Sequence, residues 1–108
     1  MIRKYNINDT VKVNDGVHTK EYNIDLSGYV GTISHILEIG EPVYQIEWDA
    51  TTLNNIEVTS LQYLDAQVYE WNHAFLYESA LVKTDIRCTP EENEEVLNTI
   101  LKKIKNKS

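Results

Sequence analysis

Apolar and polar residues alternate along three stretches of the first half of the chain, at residues 10–13, 29–37 and 43–48. Successive side chains of a strand point to opposite faces, so this period of two predicts three half-buried strands. The Asn-Asp-Gly triplet at 14–16 is a strong turn signal, because these residue types tolerate a left-handed backbone. Residues 17–27 hold only scattered apolar side chains, which predicts a long loop between the first two strands.

Two glycines lie close together at the start of the second predicted strand. Gly28 and Gly31 have neither the spacing nor the strand-to-helix setting of a phosphate-binding loop. A glycine inside a strand more often marks a bulge or a place where another backbone passes closely. Both glycines are therefore predicted to be bend and packing positions.

The stretch after the third strand has weaker patterns. Residues 49–56 are rich in Thr and Asn and predict a turn or a short irregular helix. For residues 57–74 the sequence allows three elements without deciding among them: a brief strand, a helical turn capped by Ser60, and another short strand. A final strand is predicted at residues 75–77, followed by an irregular or single-turn return at 79–84.

The last twenty residues carry the clearest helix pattern. Thr89 and Glu92 have the spacing of a capping box, and Pro90 stands at the first helical position. An apolar stripe at helical spacing follows, formed by Val96, Leu97, Ile100, Leu101 and Ile104. This stripe predicts packing across the flank of the sheet or docking on another chain, for example in a homodimer.

Length and composition fit one globular domain. A chain of 108 residues with 42% hydrophobic residues can build a core without a metal or a disulfide. The single cysteine, Cys88, excludes an intramolecular disulfide and favours a reducing compartment. The first ten residues lack an apolar run, and no apolar run has the length of a membrane span. These features predict a cytoplasmic protein without a membrane partner.

The order of the strand patterns resembles a known group of folds. The matching residues are Val11 to Val13, Gly16, the segment 27–33 and the strand 43–48. Together they resemble the SH3-like small β-barrels, and within that group the KOW and Tudor-type modules and a little-characterised set of small bacterial proteins. The resemblance implies a mainly-β fold, with an SH3-like barrel of about five strands in residues 1–88. Residues 89–108 would then be a C-terminal helix packed on or beside the barrel.

The acidic residues are concentrated in the second half of the predicted barrel. The chain has a net charge of −7. Residues 41–88 hold only two basic residues, Lys83 and Arg87, against eight acidic ones: Glu41, Glu47, Asp49, Glu57, Asp65, Glu70, Glu78 and Asp85. Such a surface favours solubility, a basic partner or a divalent cation. It disfavours nucleic-acid binding, because nucleic-acid affinity depends on cationic side chains that neutralise phosphates.

The residue types that most often carry catalysis are dispersed. His18, His35 and His73 lie in three different regions without metal-ligand spacing, and Cys88 has no neighbouring base in the sequence. A barrel of this size also offers little cleft for a pair of catalytic carboxylates. The sequence therefore predicts no catalytic residue, no cofactor and no enzymatic activity.

A non-catalytic interaction module is the leading functional prediction. Tyrosine and tryptophan are the residues that most often anchor protein interfaces. The predicted partner is a protein or a peptide, basic if the acidic half steers it. The residues predicted to bind it are Tyr22, Tyr44, Trp48, Asp49 and Trp71.

Divalent-cation binding is the alternative prediction. Glu47, Asp49 and Glu57 flank a turn rich in Thr and Asn, and Ca²⁺ prefers such oxygen ligands. The sequence lacks the Asp-x-Asp-x-Asp-Gly loop of the best-known calcium sites. Nucleic-acid binding through a KOW-like face is a third and weaker prediction, because of the charge.

Overall fold

A computed structural model describes residues 3–38 and 40–105 of the chain. It contains a five-stranded antiparallel sheet and a C-terminal helix, as predicted. The elements in chain order are β1 (Thr10–Val13), β2 (Val30–Leu37), β3 (Val43–Trp48), α1 (Ala50–Asn54), α2 (Val58–Ala66), β4 (His73–Tyr77), a 3₁₀ turn (Glu78–Ala80), β5 (Leu81–Lys83) and α3 (Pro90–Lys105).

The sheet has the strand order β4-β3-β2-β1-β5, so β4 and β5 form its two edges. The three strands predicted from alternation are confirmed, and the final predicted strand begins two residues earlier than expected. The segment after β4, which the sequence predicted to be irregular or a single turn, contains the strand β5. This strand pairs with β1, and a pairing between segments so far apart in the chain leaves no local sequence pattern.

Helices make up 32% of the described residues, a larger share than the strand pattern suggested. Residues 49–56 contain the short helix α1, and the ambiguous stretch that follows contains α2. The alternatives of a brief strand at residues 57–59 and another at 68–71 are wrong. In α2, Leu61 and Leu64 lie three positions apart and face the core, which is the spacing of a buried helical face.

The core lies between one face of the sheet and the helices. Its fully buried side chains are Tyr44, Ile33, Ile46, Leu53, Leu61, Val11 and Val13. Tyr44, Ile46 and Trp48 share one face of β3 and are all buried, as the period of two requires.

The helix α3 packs against α1 and α2. Its capping box is confirmed: the Glu92 N–H donates to Thr89 Oγ1 at 3.1 Å, and the Thr89 N–H donates to Glu92 Oε1 at 2.8 Å. Ile100 is buried, and the other four members of the predicted apolar stripe pack against the same core. The stripe is therefore packed within its own chain. Residues 106–108, which we expect from the sequence to fray at the end of the helix, lie outside the described residues.

None of the helices in the described ranges is long and apolar enough to cross a membrane.

Candidate binding pocket

A pocket of about 480 Å³ opens beside the end of β3. We refer to it as the aromatic pocket, because six of its lining residues are tyrosine or tryptophan: Tyr22, Tyr29, Trp48, Tyr63, Tyr69 and Trp71. Aliphatic side chains and the polar residues Thr59, Ser60 and His73 complete the wall. Pockets that bind organic ligands typically measure about 300–1,000 Å³ and are mostly apolar with a few polar groups, so this one has suitable size and lining.

One wall of the aromatic pocket is a hairpin-like loop, residues 17–26. The Leu26 N–H donates to the Val17 carbonyl at 2.9 Å, and the Thr19 N–H donates to the Ile24 carbonyl at 2.9 Å. Leu26 is buried and Ile24 packs against the core, so the two arms are held in place. The long loop predicted from sequence is thus an ordered support for the residues at its tip.

Tyr22 stands at that tip in a left-handed backbone conformation, with φ of 62°. Left-handed conformations are uncommon for residues other than glycine and persist only where the surrounding structure holds them. The Tyr22 ring meets the rings of Tyr69 and Tyr63 edge to face, with centroids 5.4 Å and 6.2 Å apart. Tyr22 as a whole is nevertheless 44% exposed, so it forms a wall of the aromatic pocket that solvent can reach.

The opposite wall comes from α2 and the connection to β4. Leu61 and Leu64 anchor α2 in the core, which places Tyr63 at the surface with 58% exposure. The buried Trp71 donates its indole N–H to Asp65 Oδ1 at 3.4 Å, which fixes the ring against the helix. Behind them, Trp48 packs edge to face on Tyr29 with centroids 5.0 Å apart.

The electrostatic surroundings of the aromatic pocket are acidic. Burial, reinforced by the nearby Asp25, raises the pKa of Tyr29. Burial, reinforced by Glu21, also raises the pKa of Tyr69. Both phenols therefore stay neutral at physiological pH. His73 completes this part of the wall, with its Nε2 atom 3.1 Å from Glu70 Oε2.

The structure brings together three of the five residues predicted to bind a partner. Tyr22, Trp48 and Trp71 all line the aromatic pocket. Their exposure differs: Tyr22 is the accessible one, whereas Trp48 and Trp71 are 4% and 7% exposed and form the base of the wall. The two tryptophans are therefore part of the core as well as of the pocket.

Tyr44 does not join the pocket, and the expectation that it is an exposed anchor is wrong. It is 0% exposed, because it shares the inward face of β3. Its hydroxyl donates to Glu78 Oε2 at 2.7 Å and accepts the Tyr5 N–H at 3.3 Å. Burial together with the Glu78 hydrogen bond raises the pKa of Tyr44 to about 12. Tyr44 ties the N-terminal segment to the 3₁₀ turn.

Asp49 also lies apart from the pocket surface, at 4% exposure. Its Oδ1 atom accepts the Thr52 N–H at 2.8 Å, which makes Asp49 the N-cap of α1. Arg87 binds both carboxylate oxygens. The prediction that Asp49 steers a partner from the surface is wrong, because its carboxylate is buried and is bound by Arg87 and Thr52.

The three predicted metal ligands are not brought together. Glu47 and Glu57 are exposed, whereas both oxygens of Asp49 are bound by protein donors. Across residues 3–38 and 40–105, no group of three or more His, Cys, Asp and Glu side chains is placed to hold a metal ion.

His18 and Cys88, two residues with possible catalytic chemistry, contact a backbone carbonyl and a hydroxyl group. His18 lies at the exposed arm of the 17–26 loop, with Nδ1 3.0 Å from the Gly16 carbonyl oxygen. Cys88 is buried, and its sulfur lies 3.3 Å from the Thr51 hydroxyl. Neither contact joins a nucleophile to a base.

Sequence reasoning did not assign Tyr29, Tyr63 and Tyr69 to the site. Their aromatic character was evident, but their meeting depends on how the 17–26 loop folds onto α2. A usable signal was the spacing of Leu61 and Leu64. That spacing identifies α2 and leaves Tyr63 on its exposed side.

No protein-family model matches this chain, and a search of curated proteins found no match either.

Proposed function

We propose that the protein is a non-catalytic interaction module that binds a partner protein or peptide through the aromatic pocket. The observation that carries this proposal is the position of Tyr22. Its ring lines the pocket from a strained loop tip, and the residue stays 44% exposed. Strain of this kind costs free energy, and it concentrates at sites where a precise position is useful.

The chemistry of the pocket favours a side chain inserted by a macromolecule. Tyrosine and tryptophan supply large contact areas at a small cost in conformational entropy, and they dominate interface energetics. The surrounding acidic residues favour a partner with basic groups near the inserted side chain. Tyr22 and Tyr63 would make the first contact, with Trp48 and Trp71 beneath them.

The proposal includes an SH3-like architecture for the sheet. Three features support this assignment: a long loop between β1 and β2, a strand β2 that contains Gly31, and the hairpin of β2 with β3. The helices α1 and α2 would then be an insertion between β3 and β4 that builds one wall of the pocket. A cytoplasmic location is proposed from the lone cysteine, since a reducing compartment suits a free thiol.

Selection from a phage library of random dodecapeptides tests the proposed function. The full chain is immobilised, and the most enriched peptide is synthesised and titrated by fluorescence polarisation. We expect binding by the wild type and a loss of about tenfold or more in affinity for the double variant Tyr22→Ala, Tyr63→Ala, because such a loss corresponds to one or two lost aromatic contacts.

The matched control is Ile86→Ala, which removes a 67% exposed apolar side chain that lies outside the pocket lining. Circular dichroism and a thermal melt verify that each variant is folded. The proposal fails if no peptide is enriched, or if the double variant and the control bind the peptide equally.

A further inference from the structure

The strand β4 is an edge of the sheet, and alternate residues direct their backbone groups away from it. The Trp48 N–H donates to the Asn72 carbonyl at 3.1 Å, and the Glu78 N–H donates to the Pro42 carbonyl at 3.0 Å. Since hydrogen-bonded positions alternate in an antiparallel ladder, residues 72, 74, 76 and 78 face β3. The N–H and C=O groups of His73, Phe75 and Tyr77 therefore point outward.

A groove of about 750 Å³ runs along this free edge. Every residue from His73 to Tyr77 lines it, although consecutive side chains of a strand point to opposite faces. A groove lined by both sets of side chains passes the edge of β4, which is where the outward N–H and C=O groups lie. Its other lining residues are 17–21, 67–70, Val43 and Ala80. We refer to it as the β4 groove.

The β4 groove carries exposed apolar side chains. Phe75 is 52% exposed, Tyr77 58% and Val68 88%. Val68 also has a φ of 61°, which is an outlier for a β-branched residue. Proteins usually protect a free edge with a lysine, a proline or a bulge, whereas β4 reads His-Ala-Phe-Leu-Tyr. An unprotected edge beside an exposed apolar patch is typical of a binding surface.

The β4 groove and the aromatic pocket form one continuous surface. Tyr69, His73 and Ala74 line both of them. A chain lying along β4 would therefore reach the pocket at the His73 end of the strand. This continuity connects the free edge to the proposed function.

We propose that the β4 groove binds an extended basic peptide segment of the partner as a sixth strand of the sheet, with one of its side chains in the aromatic pocket. This inference rests on the proposed function and adds the conformation of the ligand. Main-chain hydrogen bonds to His73, Phe75 and Tyr77 supply affinity, and the pocket selects the inserted side chain.

Charge supports a basic peptide over a second copy of this chain. Glu21 and Glu70 line the groove, and Lys20 is the one lysine or arginine among its described lining residues. A second copy would bring another net charge of −7 to an already acidic surface, which repulsion disfavours. A segment with two or three basic residues would instead be attracted to it.

Amide hydrogen exchange followed by NMR tests this inference, with the enriched dodecapeptide as the probe. We expect the amides of His73, Phe75 and Tyr77 to gain protection of about tenfold or more on binding, because a new ladder would shield them. The amides of Ala74 and Leu76 already face β3 and should change little. If the three outward amides stay unprotected while the peptide still needs Tyr22 and Tyr63, strand addition is overturned and the pocket function stands.

Two further outcomes are decisive. If no peptide is enriched, the inference and the proposed function fail together. If the outward amides gain protection with rising protein concentration and no peptide, the edge pairs with a second copy and the inference is overturned.

A pair of variants separates the backbone from the side chain at the same position. Phe75→Pro removes an outward N–H that β3 does not use, and proline is tolerated on edge strands in that orientation. Phe75→Ala removes the ring and keeps the N–H. We expect the proline variant to bind the dodecapeptide about tenfold more weakly than the alanine variant. Equal affinities would overturn the inference.

N-methylation of the peptide repeats this test without changing the protein. Methyl groups on one set of alternate peptide nitrogens should abolish binding, whereas methyl groups on the other set should be tolerated, because only one set faces β4. Equal tolerance of both sets would overturn strand addition even if the proline variant failed to fold.

Discussion

Arg87 binds the carboxylate of Asp49 at two points: Nε lies 2.7 Å from Oδ2, and Nη2 lies 3.0 Å from Oδ1. The same Nη2 atom donates to Thr52 Oγ1 at 2.9 Å. Thr52 Oγ1 also accepts the Val30 N–H at 3.0 Å and donates to the Val30 carbonyl at 3.1 Å. One ion pair thereby joins the start of α1 to the start of β2 and to the segment before α3.

The first prediction concerns the removal of Arg87. The Asp49 side chain is 5% exposed and that of Arg87 is 41% exposed, so the pair is half-screened by solvent. Arg87→Ala leaves a buried carboxylate without its cation, and we expect a loss of about 1–3 kcal/mol in the free energy of unfolding. Urea denaturation measures it.

Lys83→Ala is the matched control for this loss. Lys83 also pairs with an aspartate, Asp9, but at 3.7 Å and with 65% of its side chain exposed. Removal of such a surface pair should cost less than about 0.5 kcal/mol. Equal losses for the two alanine variants would contradict a structural role for the Arg87 pair.

The second prediction is a dependence of stability on acid pH that Asp49 supplies. Burial opposes the charged form, but hydrogen bonds from Arg87 and Thr52 outweigh it and lower the pKa of Asp49 below its ordinary value of 3.8. In the unfolded chain the group takes up its proton near that ordinary value. Its contribution to stability is therefore present above about pH 4 and is lost as the pH falls through the lower, folded pKa.

Asp49→Asn keeps the cap of α1 and removes the titration. We expect this variant to be less stable than the wild type at neutral pH and the gap to narrow as the pH falls below about 4, the ordinary range of an aspartate. Urea midpoints measured between neutral pH and pH 2 for both proteins give the difference. Other carboxyl groups titrate in both proteins and cancel. A gap that stays constant over this range would contradict the lowered pKa.

Local signals in the sequence predicted the sheet up to β3 and the start of α3, because each depends on neighbouring residues. The alternation on β3 also put Tyr44 on the face of Ile46 and Trp48, and that face is the core. The Asp49–Arg87 pair could not be predicted in this way. The two residues lie 38 positions apart, and their meeting requires α1 and the segment before α3 to be placed.

Only part of the candidate site was predictable, because local sequence signals identify residue types but not contacts between distant segments. Tyr22, Trp48 and Trp71 were identifiable by residue type, since aromatic side chains dominate binding sites. The pocket itself depends on the fold of the 17–26 loop onto α2, and the free edge depends on strand order. Neither leaves a local pattern, because both arise from contacts between segments far apart in the chain.

The third prediction separates two glycines that look alike in the sequence. A Cβ atom at Gly31 would overlap the Glu47 carbonyl oxygen, because β2 and β3 approach closely there. Gly28 has open space around it, but its φ is +80°. We expect Gly31→Ala to cost about 3 kcal/mol through overpacking and Gly28→Ala about 1–2 kcal/mol through strain.

Asparagine at the two positions distinguishes the causes. Asparagine tolerates a left-handed backbone, so Gly28→Asn should recover most of the stability that Gly28→Ala loses. Gly31→Asn should be worse than Gly31→Ala, because it adds atoms where there is no space. Thermal melts of the four variants give the order. If Gly31→Asn were as stable as the wild type, the close approach of the two strands would be contradicted.

The fourth prediction is that Val68→Gly stabilises the protein. Val68 follows the end of α2: its N–H donates to the Asp65 carbonyl at 2.9 Å, and the Tyr69 N–H donates to the Leu64 carbonyl at 3.0 Å. These two bonds define a Schellman motif, whose left-handed position is normally glycine. With φ of 61° and 88% exposure, valine is strained there and contributes little packing.

Glycine removes that strain, and we expect about 1 kcal/mol of added stability and a melting temperature about 5 °C higher. Val82→Gly, at a 45% exposed strand position in β5, is the matched control and should lose about 1 kcal/mol. A melting temperature of Val68→Gly at or below that of the wild type would contradict the strain. Strained residues are retained mainly where they contribute to function, and Val68 lines the β4 groove. The more stable glycine variant should therefore bind the enriched dodecapeptide more weakly.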